Sequence, residues 1–185
     1  LGKLYSYMTL NIDKVYAKIK WLPRNWDSVV PLLMVIPPGL VWPQVLGGGN
    51  SVVLGISHFW SSIAILIALF AVRLIFSTIS YGSGLPGGIF LPILTLGAIV
   101  GALFGKVCVA MGLMPEKLVI NSAIHSMAGY FACIGKAPFT AILLITEMVG
   151  SLSHLMPLAV VSLIAYTVTD IMRERPIYEA MLDAL

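Results

Sequence analysis

The chain of 185 residues is 59% hydrophobic and 10% charged, with a formal net charge of +3 and a mean hydropathy of +0.98. A water-soluble domain carries about 25% charged residues, so composition excludes a soluble enzyme or soluble binding module. With no dense basic patch it also excludes a nucleic-acid partner, and the small positive surplus bears on orientation in a bilayer.

An all-α integral membrane protein is therefore expected, a single multi-pass membrane domain over 1–185 without a soluble domain. A full span takes roughly 20 apolar residues, so there is room for about six. The chain opens on Leu1 with no signal-peptide pattern, and a fragment of a longer protein is the expectation. Cys108 and Cys133 lie in apolar runs without metal or disulfide spacing, and read as small packing residues.

Residues 1–27 are the polar part. Lys3, Lys14, Lys18, Lys20 and Arg24 alternate with Tyr5, Tyr7, Tyr16, Trp21 and Trp26, a mixture suited to headgroup depth. Leu4, Met8, Ile12, Val15 and Ile19 form the expected buried stripe of this short interfacial helix. Membrane helices follow over 28–172. A span over 29–45 is broken by Pro37-Pro38-Gly39 and Pro43, and Gly47-Gly48-Gly49-Asn50 opens a loop. A short helix over 51–57 leads to a span over 59–74, with Arg73 expected to snorkel from its end.

The stretch Tyr81-Gly82-Ser83-Gly84-Leu85-Pro86-Gly87-Gly88-Ile89-Phe90-Leu91-Pro92 is a proline-bounded break before a long uncharged run. Pro86 disfavours helix at Leu85, and Pro92 is tolerated in a first turn. The next helix should start near 88–90 and run to about 111. Gly97, Gly101 and Gly105 recur every four residues on one face, as tight helix packing requires. Beyond a turn at Pro115-Glu116-Lys117, an apolar segment covers 118–134. Gly135-Lys136-Ala137-Pro138 breaks it, and a short helix over 139–149, a loop at 150–154 and a span over 156–171 follow. A charged turn at 173–176 precedes the final helix, 176–185.

Helices too short to cross, separated by breaks, mark transporter folds with a midplane site. Cation pathways use intramembrane carboxylates, yet no Asp or Glu lies between Ser28 and Pro115. The break offers backbone N–H groups at a helix start, an anion site by geometry and dipole. The amides of Ile89 and Phe90 are the candidate donors. Tyr178, just past Pro176, adds one neutral O–H donor. Glu147 and Asp170 read as buried acids, better suited to a structural pairing than to a proton relay. His58, His125 and His154 fall on separate segments and read as hydrogen-bonded helix-end residues.

Gly88-Ile89-Phe90-Leu91-Pro92 resembles the GxFxP signature of the CLC family of voltage-gated chloride channels and chloride/proton antiporters. Gly135-Lys136-Ala137-Pro138-Phe139-Thr140 with Leu144-Ile145-Thr146-Glu147-Met148 resembles that family's penultimate short helix. Pro176-Ile177-Tyr178 resembles the start of its final helix, and Gly47-Gly48-Gly49-Asn50 fits a family loop. Order and spacing agree across essentially the whole chain.

The resemblance implies a CLC-type fold of tilted, discontinuous helices from an inverted repeat, second half only. It implies chloride as the substrate with no cofactor and no metal, and protons as well in the antiporter branch. The selectivity motif would be Gly88 to Pro92, with chloride held by the Ile89 and Phe90 amides and the Tyr178 hydroxyl. It further implies a multi-pass protein of the cell membrane in a lipid bilayer, a homodimer contacting through about 138–149 and 155–172, and an N-terminal half carrying the gating glutamate. Ser83 sits in the inverted-repeat counterpart of the first-half loop, so that loop's serine role does not pass to it. Channel and antiporter both remain open. The rivals are a fluoride/proton antiporter of the same family, a non-transporting assembly fragment, and an intramembrane serine hydrolase using Ser83 with His125 or His154. The last is disfavoured because Tyr81 stands where a Gly-x-Ser-Gly motif needs glycine.

Overall fold

Proline and glycine set most of the helix limits in this chain. The computed structural model describes residues 2–18, 62–82, 89–173 and 175–182, with isolated positions 32, 33, 36 and 39. Helix α1 is Gly2–Lys18, α2 is Ile63–Gly82 and α3 is Phe90–Ala110. After a 3-10 turn at Glu116–Leu118 come α4, Val119–Gly135, and α5, Pro138–Val149. A second 3-10 turn, Leu152–His154, leads into α6, Leu155–Ile171, and α7 is Ile177–Leu182. The expected 29–45 span, the loop at 47–50, the 51–57 helix, His58, Ser83 and Gly88 lie outside the described residues, apart from those four isolated positions.

Four helical stretches among the described residues are long and apolar enough to cross a membrane: Ile63–Tyr81, Phe90–Ala110, Glu116–Gly135 and Leu152–Ile171. Helix α5 has 12 residues, roughly 18 Å of rise, too short to cross alone. Pro138 is its first residue, where a missing N–H costs nothing. Gly150 closes it at φ +67, a left-handed cap that a side chain would strain.

The glycine stripe does what its spacing implies. Helix α4 returns antiparallel along α3. A Cβ at Gly97 would come within 2.9 Å of Met127 Cα, one at Gly101 within 2.5 Å of Ser126 Cβ, and one at Gly105 within 3.2 Å of Val119 Cα. Ser122 Oγ donates to the Gly101 carbonyl at 2.9 Å, so a hydroxyl is satisfied inside the seam. Helix α6 runs parallel to α4. His154 meets His125, Val161 lies against Gly129, and Asp170 pairs with Lys136. The parallel course follows from α5, which carries the chain back between them.

Two expectations change. Helix α2 continues to Gly82, so Arg73 is not at its end; it lies mid-helix and only 3% exposed. The polar residues beyond Arg73 are accommodated by the helix itself, as Thr78 Oγ1 donates to the Leu74 carbonyl at 2.8 Å. In α1 the inward face keeps Ile12 and the partly buried Met8 of the expected stripe but takes Tyr5 and Thr9 in place of Leu4. Tyr5, Thr9 and Ile12 are buried while Leu4 is about half exposed. Tyr5 wins the interior because its hydroxyl finds Ser77 Oγ at 3.1 Å, which offsets the cost of burying a polar group.

Candidate anion-binding site

Helix α3 begins without a cap. Ile89 is its N-cap residue and no side chain bonds back to the turn. The first intrahelical bond of this end runs from the Ile93 amide to the Ile89 carbonyl, 3.1 Å. The amides of Ile89, Phe90 and Leu91 therefore precede the helical ladder, Pro92 has no N–H, and among the described residues no backbone acceptor takes those three amides. Ile89 is buried. Unpaired N–H groups at a buried helix start carry about half a positive charge and attract an anion.

Tyr178 is brought to the same corner through two other residues. The rings of Phe90 and Phe131 meet edge to face with centroids 5.1 Å apart. Phe131 Cζ lies 3.5 Å, and Tyr178 Cε2 3.7 Å, from where a Gly135 Cβ would stand. Phe131 thus spaces the start of α3 from the end of α4, and Gly135 leaves room for both rings. Burial pushes the Tyr178 phenol above its ordinary value, so the group stays an O–H donor.

Lys136 follows at φ 52, a left-handed α4 cap, and its Nζ reaches Asp170 Oδ1 at 2.9 Å. That pair ties the α4–α5 break to the end of α6, four residues before α7 begins its approach through 175–177. It also pairs the Lys136 charge with a carboxylate.

Ile89, Phe90 and Tyr178 thus gather at one end of the bundle, with Leu91 and Pro92 in the first turn of α3. Gly88 lies outside the described residues. Glu147 and Asp170 do not fit the expectation of buried acids: both are exposed, Glu147 on the outward side of the short α5 and Asp170 near the end of the membrane-length α6. His125 and His154, expected apart, stand together with ring centroids 5.6 Å from one another. Phe131 and Gly135 were missed by sequence reasoning. The only hint was an aromatic four residues before the glycine that precedes the Lys136-Ala137-Pro138 break.

The model of the voltage gated chloride channel family matches residues 1–170. The chain belongs to that family. Among its CLC relatives, the H(+)/Cl(-) exchange transporter ClcA of Vibrio campbellii is 37% identical over 76% of this chain and 30% of its own length. ClcA of Vibrio cholerae is 36% identical over 98% of this chain and 39% of its own. A solved structure, described as a slow cyanobacterial Cl-/H+ antiporter, superposes with a TM-score of 0.87 at 27% identity, covering 98% of this chain and 43% of that one. The all-α CLC fold is thereby established, and with it a multi-pass membrane protein. The chain spans between 30% and 39% of the length of these ClcA relatives. Their names are those of chloride transporters, which lends nothing to the fluoride or serine hydrolase readings.

Proposed function

We propose that this chain carries one half of the anion pathway of a chloride/proton antiporter in the cell membrane. The observation that carries the reading is the uncapped start of α3 at Ile89, buried and joined to Tyr178 through Phe131 and Gly135. The ClcA names and the antiporter neighbour favour exchange over a channel.

Chloride entering the corner loses part of its water shell. The Ile89 and Phe90 amides and the Tyr178 hydroxyl replace that water. Dipoles and neutral donors compensate desolvation without trapping the ion, as conduction requires binding weak enough to leave. The rest of the pathway, including the proton-handling acids, belongs to segments matching the remainder of the relatives' length. A second copy of the protein covers the outward faces of α5 and α6, where Phe139 (73% exposed) and Met156 (74%) are bare, giving a homodimer in the lipid bilayer.

The test uses the intact protein in liposomes. Chloride efflux should drive proton uptake, and Tyr178→Ala should weaken chloride binding measured by calorimetry. Unchanged affinity would remove Tyr178 from the site; chloride flux without proton movement would leave a channel.

A further inference from the structure

The end of the bundle opposite the anion corner holds a pair of imidazoles from segments 29 positions apart. His125 lies six residues into α4, and His154 closes the 3-10 turn between α5 and α6. Their ring centroids are 5.6 Å apart and the planes are inclined by 58°. His125 Nε2 is fully buried and has no hydrogen-bond partner among the described residues. A buried polar atom left in that state costs free energy, and a structural histidine would ordinarily be satisfied.

We propose that His125 and His154 form a binding site for a borderline divalent cation such as zinc or nickel. Neutral imidazole suits these metals. Two imidazoles held at Zn–N distances of about 2.0–2.1 Å around a tetrahedral centre put their ring centres about 5–6 Å apart. The observed centroid separation falls in that range, and the two rings need only turn to bring one nitrogen of each to the ion. The ion would take up the lone pair that the protein leaves unused.

No third His, Cys, Asp or Glu completes a cluster among the described residues. Water would fill the remaining positions, so affinity lies well below that of four-ligand structural zinc. The hydroxyls of Ser151 and Ser153 beside His154 are 2.6 Å from each other and so engage one another. His154 is partly exposed, next to the exposed Leu152, which gives the ion an approach from the bundle end. Bound there, it pins α4 to the α5–α6 turn. His125 lies ten residues before Gly135 on α4, roughly 15 Å of helix rise from the position that Tyr178 packs against, so chloride binding is a separate property.

The experiment titrates zinc sulfate into the intact detergent-solubilised protein, with magnesium sulfate as the control, reading binding by calorimetry and stability by thermal melting. One zinc ion per chain at micromolar levels, with a raised melting temperature and no response to magnesium, is the expected result. Losing one partner behind a metal ligand typically weakens binding 10–100-fold, so His154→Ala, which removes a ligand outright, should weaken zinc by roughly tenfold or more. His125→Gln is the second variant. Chloride affinity in His154→Ala should match that of the parent, which shows that the variant folds. Absence of zinc binding in the parent, or unchanged zinc affinity in a chloride-competent His154→Ala, overturns the site.

Discussion

The α3–α4 seam and the start of α3 use glycine-rich sequence for opposite ends. In the seam, Gly97, Gly101 and Gly105 remove side chains so that two helices touch backbone to backbone, and Ser122 closes its own hydrogen bond on the Gly101 carbonyl. At the helix start, Ile89 carries no side-chain cap and no described backbone acceptor takes the first amides. The seam is closed and its Ser122 hydroxyl is satisfied; the corner is left wanting a partner among the described residues. On the proposed reading, one helix carries its rigidity along its length and its chemistry at its tip. Damage to the seam should appear as lost protein, and damage to the corner as lost anion binding in a protein that still folds.

The largest expected effect is Gly101→Leu. A Cβ there would already meet Ser126 Cβ at 2.5 Å and press on the Ser122 carbonyl. Overpacking a tight interior costs about 1–3 kcal/mol when only side chains must yield, and here backbone must move, so the loss lies at or beyond that end. The measurement is yield and melting temperature of the intact protein in detergent. Gly105→Ala, with its nearest neighbour at 3.2 Å, should cost far less; equal damage from both would show that close approach is not what these glycines supply.

Much of this division is written in the chain. Pro92 and Pro138 announce first turns, the four-residue glycine spacing announces a close helix contact, and a break free of acids announces an anion. What resists reading is the joining of distant segments. Nothing local says that Phe131 meets Phe90, that Lys136 reaches Asp170, or that His125 faces His154, since each pair is fixed by the parallel or antiparallel course of whole helices. Arg73 misleads for another reason. Its place in the chain reads as the end of a span over 59–74, but the helix runs on to Gly82, where Thr78 bonds back to the Leu74 carbonyl and Ser77 pairs with Tyr5, so the arginine is buried mid-helix. In α1 the aliphatic stripe keeps Met8 and Ile12 inward, while Leu4 yields to one tyrosine with a partner.

Second in size are changes at the corner that leave the seam alone. Tyr178→Phe keeps the ring against Gly135 and removes only the hydroxyl. A neutral hydrogen bond is worth about 0.5–1.5 kcal/mol net, so chloride affinity should fall roughly 2- to 12-fold, with the melting temperature unchanged. A matching fall in stability would mean that the hydroxyl serves the fold.

Lys136→Met should act more weakly and indirectly. Its side chain is 15% exposed and that of Asp170 59%, and pairs with one partner in solvent are worth about 0–1 kcal/mol. Loosening the tie between the α4–α5 break and the end of α6 should cost no more than a few-fold in chloride affinity. Lys136→Arg, which restores the charge, should recover it. If Met and Arg behave alike, charge is not what holds this junction.

The smallest effect is an expected constancy. A free tyrosine loses its proton near about pH 10, and burial holds the Tyr178 phenol above its ordinary value. A raised value means that the neutral, donating form is complete below the ordinary range and is lost only at still higher pH. The ratio of chloride affinities between the parent and Tyr178→Phe should therefore stay flat from about pH 7 to about pH 9. Taking the ratio cancels every other titrating group common to both proteins. A ratio that shrinks toward one across that interval would mean that the phenol ionises early. It would then repel the anion it is meant to hold, and the contrast between a satisfied seam and a donating corner would lose its second donor.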